Sequence, residues 1–364
     1  MSKYLIKLYP VDTFFFGNER TFGDDNSNYF VRSNMFPQQT SVLGMLRFEL
    51  LKQTKDVLEQ DEKGIRIKNA GTATTIIGES SFSTNNTKGY GCIKSISPVL
   101  IANNNDYYYL STKEISDKDK KPVLFNFDSI NKVKVSFGTK TTKEIPLLEN
   151  YEAKHGFYEH FRMINGSKTH PVYYDKDKNE GVYVDNERVG ILKKTKNVED
   201  EDKGFFRQVS YSFNKGFCFA FFAEIDDFPI LKNSIVMLGG ETSTFRMVVE
   251  PQKEELYNQL FPENNDTVGK FKLILLNDAK VEKSVYNHCE FALTETIDFR
   301  FIETTVSSGN NYANKPKKSN AKFNLLKRGS VFYTQNISQL KTEIEKETAF
   351  RNIGYNFYKI EKQS

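Results

Sequence analysis

Four histidines, His155, His160, His170 and His288, are the side chains best suited to proton transfer near neutral pH. A metal-independent ribonuclease would set one of them beside a scissile 2′-hydroxyl as general base, and that is the enzyme class to weigh. Their placement argues against it. His155 and His160 stand five apart, which does not align them on a helix, and His170 precedes a proline in a turn. No Ser-His-Asp order, zinc-type spacing or Walker loop is present. Glu199-Asp200-Glu201-Asp202 and Gly23-Asp24-Asp25 read as solvated loop charges, so no metal is expected. Gly89-Tyr90-Gly91 lacks the third glycine of a dinucleotide loop, and no cofactor is expected either.

The stretch with more to say is Phe36-Pro37-Gln38-Gln39-Thr40-Ser41-Val42-Leu43-Gly44-Met45-Leu46-Arg47-Phe48-Glu49-Leu50. Pro37 pushes Phe36 towards extended geometry, and Thr40 or Ser41 is placed to cap a helix over 40–54. Leu43, Leu46 and Leu50 give that helix one buried stripe. Gly44 costs the helix about 1 kcal/mol relative to alanine, so something is expected to approach it closely. Arg47, one turn on, would put a positive charge beside the gap; the plain alternative is a first helix with a surface arginine.

Composition bounds the reading. The 364 residues allow two domains with real cores. With 31 Phe, 19 Tyr and no Trp, large rings must fill those cores and leave some for flat surfaces. Lys and Arg number 51 against 47 Asp and Glu, a net of +4, so any nucleic-acid site is a local patch. Cys92, Cys218 and Cys289 lie far apart, which fits a reducing cytoplasm; no signal-peptide core or membrane-length apolar run is visible.

Along the chain, strands are expected at 3–9, 90–101, 106–112 and 123–137, with a long loop from Asn18 to Asn34. Residues 151–204 read as an insertion with basic residues Arg162, Lys168, Arg188, Lys193, Lys194 and Lys196. A hairpin is expected from 205–213 through the turn Asn214-Lys215-Gly216 into Phe217–Ile225, the latter buried on both faces. A short helix over 227–234 leads to Gly239-Gly240, which offers either a phosphate cradle or a bulge, and then to a strand over 244–250. After Pro251 come a helix (252–261), a strand (270–276), a loop over 307–320 and a short helix ending at Arg328-Gly329. A strand at 330–334, a helix over 338–348 and a last strand follow. Alternating helices and strands in each half predict an α+β class, with helices on one face of each sheet.

Five segments, in this order, resemble the RAMP superfamily of CRISPR effector subunits, and within it the type that binds the crRNA 5′ tag in type III-B (Cmr) complexes. They are Asp12-Thr13-Phe14-Phe15-Phe16-Gly17 with Arg20 and Phe22; Phe36 to Arg47; Arg188-Val189-Gly190-Ile191; Leu238-Gly239-Gly240-Glu241; and Gly329-Ser330-Val331-Phe332-Tyr333. The pattern usually carries a second proline where Gln38 stands, and further arginine where Thr242, Ser243 and Thr244 precede Arg246. The resemblance implies two ferredoxin-like (RRM-like) domains, 1–250 and 251–364, with a β-hairpin thumb at about 151–204. It also implies a non-catalytic role: gripping the repeat-derived 5′ tag of the guide RNA, and joining the large cyclase/polymerase-like subunit to a RAMP backbone subunit. Target RNA would be met only indirectly. Some RAMP relatives cleave guide precursors, so precursor processing is the alternative.

On that reading the Gly44–Arg47 face and Gly239-Gly240 line the tag site. Single-stranded RNA is held by cations and N–H groups on phosphates and by planes on its bases. Arg32 and Arg47 would contact phosphates, Gln38 and Gln39 base edges or sugars, and Phe36 would stack or wedge, unless it packs in the core. Ser33, Arg20, Thr40, Arg162, Lys168, Arg188, Lys193, Arg207 and Arg246 complete the set expected to meet RNA.

Overall fold

The computed structural model describes residues 2–17, 30–62, 64–84, 89–127, 132–137, 141–146, 148–192, 204–226, 231–251, 254–263, 268–304 and 317–363. The chain is α+β and dominated by antiparallel strands. Eight strands of its largest sheet lie in the spatial order Thr169–Pro171, His160–Met163, Asp106–Ser111, Leu100–Asn103, Phe217–Ile225, Ser2–Pro10, Thr244–Pro251 and Ser234–Met237. Ile93–Ile96 also pairs with Phe217–Ile225. The centre falls where the sequence is apolar on both faces: Phe217–Ile225 is buried almost throughout and pairs antiparallel with Ser2–Pro10 from Ser2↔Ile225 to Leu8↔Phe219.

One face of this sheet presents Tyr4, Ile6, Leu8, Phe219 and Phe221 to helix α1 (Gln39–Gln53) and helix α2 (Ala70–Ile77). The other face presents Leu5, Leu100, Tyr107, Ala220 and Phe222 to a second antiparallel sheet, ordered Phe291–Leu293, Val331–Thr334, Lys270–Leu275, Tyr358–Gln363. Ile274, Leu276, Val331 and Tyr333 close that interior, together with Leu260 of helix α3 (Glu254–Leu260). Helix α4 (Ile337–Glu345) covers the far side through Ile337, Leu340 and Ile344, its N-terminus capped by Asn336. The layers therefore run helices, sheet, sheet, helix, and the apolar interior is shared across residue 250. Among the described residues no helix is long and apolar enough to cross a membrane.

Three local expectations are corrected. The segment Gly204–Phe213 does not turn back on Phe217–Ile225; it pairs with Tyr183–Leu192 along ten positions, and the turn at 214–216 hands the chain from one sheet to another. The helix expected to end at Arg328 is instead the strand Phe323–Leu326 followed by a turn. The helix expected over 227–234 falls partly outside the described residues, 231–233 is irregular, and Ser234–Met237 is a strand.

Candidate nucleic-acid interface

The loop before α1 is pinned from two sides. Phe30–Arg32 runs parallel to Gly204–Phe213, with Val31 opposite Gln208 and Arg32 opposite Val209, and the Ser33 N–H donates to the Val209 carbonyl at 2.8 Å. The buried Ser33 hydroxyl accepts from the Phe16 N–H at 2.8 Å and donates to the Asn34 carbonyl, so it positions the loop. Gln38, extended at φ −64° and ψ 140°, is the residue that starts α1, not Thr40 or Ser41. Its carbonyl accepts from Ser41 and Val42, and no side chain caps the helix. The first-turn N–H groups of Gln39 and Thr40 face the Tyr355 hydroxyl, which closes no hydrogen bond of good geometry.

The opposite wall comes from the C-terminal half. A cleft of about 210 Å³ lies between residues 32–38 and Asp278, Phe299, Lys327, Arg328 and Tyr355, with Tyr173 and Tyr211 also in its lining. Arg328 is 7% exposed, and its guanidinium carbon sits 3.9 Å from the centre of the Phe36 ring, a cation–π stack. One terminal nitrogen of Arg328 donates to Asn277, the Nε lies 3.7 Å from Asp278, and the remaining Nη1 is buried without a partner. Arg32 reaches Asp185 at 2.9 Å and the Tyr211 hydroxyl at 3.3 Å, its guanidinium 5.5 Å from the Tyr173 ring. Lining cations Arg32, Lys327 and Arg328 outnumber the lining Asp278 and Asp298, and beyond the lining Asp185 pairs with Arg32 and Glu295 with Lys327.

Of the residues the sequence singled out, Arg32, Ser33, Phe36 and Gln38 meet in this cleft. Phe36 does so from the core: it packs against Phe161 and Phe219 and lends a face to Arg328, so it is no wedge. Gln39 is buried, donating to the Ser97 carbonyl at 2.8 Å, and is closed to base edges. Thr40 is half-buried in the first turn of α1 and does not line the cleft. Gly44 is on the exposed strip of α1 with Ser41 and Phe48, and nothing of the described chain lies within 4 Å of where its Cβ would stand.

Arg47 turns the other way. It is buried and donates to the Ile77 carbonyl at the end of α2 at 3.1 Å, and burial pulls its guanidinium down to about 10. It ties two helices together and is closed to phosphate. Gly239 and Gly240 lie in the turn that joins Ser234–Met237 to Thr244–Pro251, neither a bulge nor a cradle. A Cβ on Gly239 would stand 2.5 Å from the Phe15 carbonyl, to which the Gly240 N–H donates at 2.9 Å.

Arg162 is likewise spoken for, bound to Glu114 at 2.7 Å and to Glu361 at 3.2 Å. Lys168 pairs with Asp106 and Arg207 with Glu187, both at the surface. Arg246 stacks on Tyr9 on the sheet face away from α1. Arg188 lines a second cavity of about 660 Å³, where Asp12, Glu187 and Glu241 outnumber it, so the larger cavity is the less suited to RNA. Arg20 and Lys193 lie outside the described residues. Arg328, Lys327, Tyr173, Tyr211 and Tyr355 were missed. The signal for Arg328 was its place just before Gly329, at the edge of a quoted segment.

Two histidines, His160 and His170, stand on the paired strands His160–Met163 and Thr169–Pro171, and the other two lie elsewhere. His160 and His170 each keep an Nε2 buried without a partner, and burial lowers both below the ordinary imidazole range. His155 pairs with Glu152, and His288 meets Gln339 on another surface.

With the fold and cleft in view, comparison places the chain. Its sequence matches the family described as CRISPR-associated protein (Cas_Cmr3) over residues 6–360, and the chain belongs to that family. No curated protein matches it. Among solved structures it is similar to a chain of the type III-B Cmr-beta complex bound to cognate target RNA and AMPPnP. That likeness has a TM-score of 0.49 at 13% identity and covers 97% of this chain and 94% of the other. The same complex bound to cognate target RNA gives 0.47 at 13%, covering 98% and 96%. A chain of the Csm3–Csm4 subcomplex of a type III-A interference complex gives 0.37 at 14%, covering 92% and 97%.

Proposed function

We propose that this chain is the subunit of a type III-B CRISPR effector that grips the repeat-derived 5′ tag of the guide RNA. In that role it links the large cyclase/polymerase-like subunit to the RAMP backbone and does no chemistry of its own. Membership of the Cas_Cmr3 family supports the complex. The cleft supports the grip and is the observation that carries the reading: Arg32, the 33–38 loop and Arg328 converge on one recess beside the exposed ring of Tyr173. Phosphates hold an RNA strand in register while planar side chains take its bases, each stack contributing about 1–3 kcal/mol. A non-catalytic role is supported by the histidines, because a general base must reach the 2′-hydroxyl it deprotonates, and two of the four are enclosed.

The test uses the full chain and labelled repeat RNA. The RNA stays intact on prolonged incubation, and tag RNA binds more tightly than a scrambled sequence. Arg32→Ala weakens binding and lowers the slope of log affinity against log salt by about 0.7, one phosphate contact on a single strand. Specific cleavage would favour precursor processing, and equal binding of tag and scrambled RNA would overturn the reading.

A further inference from the structure

We infer that the inner end of the cleft is a built subsite for a single phosphate, held by Arg328 and by the Tyr355 hydroxyl, with the N-terminus of α1 behind that hydroxyl. The inference rests on the RNA-binding reading above and deepens it by naming what enters the recess.

Two buried donors meet there. Arg328 is buried, flattened against Phe36, and keeps Nη1 without a partner while its other nitrogens are occupied or neutralised by Asn277 and Asp278. Tyr355 is buried, lines the same cleft and has a hydroxyl that closes no hydrogen bond of good geometry. The uncapped N–H groups of Gln39 and Thr40, at the start of the fifteen-residue helix α1, face that hydroxyl oxygen and leave its proton to be donated. Buried donors are nearly always satisfied, so an orphaned guanidinium end and an idle hydroxyl together mark a missing acceptor. Both donate, Arg328 carries a positive charge, and the helix N-terminus behind the hydroxyl adds to it, which selects an anion. A guanidinium nitrogen beside a hydroxyl matches two oxygens of a tetrahedral group.

Size narrows the choice. At about 210 Å³ the recess is smaller than the ~300 Å³ at which pockets for whole organic ligands begin. It takes a phosphate and the edge of a sugar, and leaves the bases outside, where Arg32 and Tyr173 supply planes. Gly354 keeps the recess in shape. At φ +95° a Cβ there would stand 1.9 Å from the Gln39 side chain, which would displace the start of α1.

The experiment titrates the full chain with synthetic tag RNAs in which each internal linkage in turn is a neutral methylphosphonate. A further pair carries a 5′-hydroxyl or a 5′-monophosphate. One phosphate is expected to matter most, its neutralisation or removal weakening binding about tenfold. Arg328→Gln abolishes that particular penalty, whereas Arg32→Ala keeps it. Tyr355→Phe retains the ring and shrinks the same penalty several-fold, which keeps the test open if the arginine variant fails to fold. Sensitivity at an internal linkage assigns the subsite to the backbone, and sensitivity to the monophosphate assigns it to the terminus. If every penalty survives in both variants while tag RNA still outbinds scrambled RNA, the subsite is wrong and the RNA-binding reading stands. If tag and scrambled RNA bind alike, that reading falls as well.

Discussion

At the scale of single residues, two arginines exchange the roles their neighbourhoods propose. Arg47 sits at a spacing that reads as a surface cation beside Gly44, yet it is buried against the Ile77 carbonyl because α2 covers that side of α1. Arg328 reads as the end of a short helix, yet it sits in a turn, stacks on Phe36 and lines the cleft. Arg47→Met should therefore act on stability: loss of the hydrogen bond leaves a buried carbonyl unpaired, for about 1–3 kcal/mol. Denaturant midpoints measure that loss, and the salt slope of RNA binding should stay at the wild-type value. A lowered slope with an unchanged midpoint would restore Arg47 to the RNA.

At the scale of elements, what was legible depended on whether periodicity alone decides the structure. The strand Ser2–Pro10, the doubly buried Phe217–Ile225 and helix α4 follow from their apolar spacing. Helix α2 was not read, because Ala70-Gly71-Thr72-Ala73-Thr74-Thr75-Ile76-Ile77 is rich in β-branched residues. Packing of Ala73, Ile76 and Ile77 and a cap from Asn69 to the Thr72 N–H override that preference. The strand Gly204–Phe213 alternates as a hairpin arm should, but alternation does not say which neighbour it pairs with. Of the cleft, the 32–38 wall was visible in sequence and the Arg328–Tyr355 wall was not, since only tertiary packing brings them together. Gly44 gives this scale its prediction. With open space at its Cβ, Gly44→Ala should stabilise α1 by about 0.5–1 kcal/mol, read as a higher melting temperature. A drop would mean that an unseen close approach exists within the chain.

At the scale of the whole molecule, the two facing sheets are joined by a charged cluster as well as by apolar packing. Glu114 is buried between them, accepting from Lys272 at 2.6 Å, Arg162 at 2.7 Å, Ser111 at 2.5 Å and Tyr109 at 3.0 Å. Burial alone would raise its carboxyl, but Lys272 and Arg162 outweigh that and hold it at about 2, against 4.5 when free. The folded state thus binds fewer protons than the unfolded one between those values. The stabilisation is present above about pH 4.5 and is lost as pH falls towards 2, on the order of 2–3 kcal/mol. Acid unfolding followed by circular dichroism should show that loss in the wild type. Glu114→Gln, which has no such proton to take up, should be less stable at neutral pH and show a correspondingly shallower acid limb. Matching acid limbs in the two proteins would remove Glu114 from this role.

The two walls of the cleft are separated by most of the polypeptide: one is made by residues 32–38, the other by Arg328 and Tyr355. A ribosome that has released only the first of them carries half a grip. On the proposed function, guide loading would be deferred until translation has passed Tyr355 and the sheets have docked, so that a transcript would be committed only to a finished subunit.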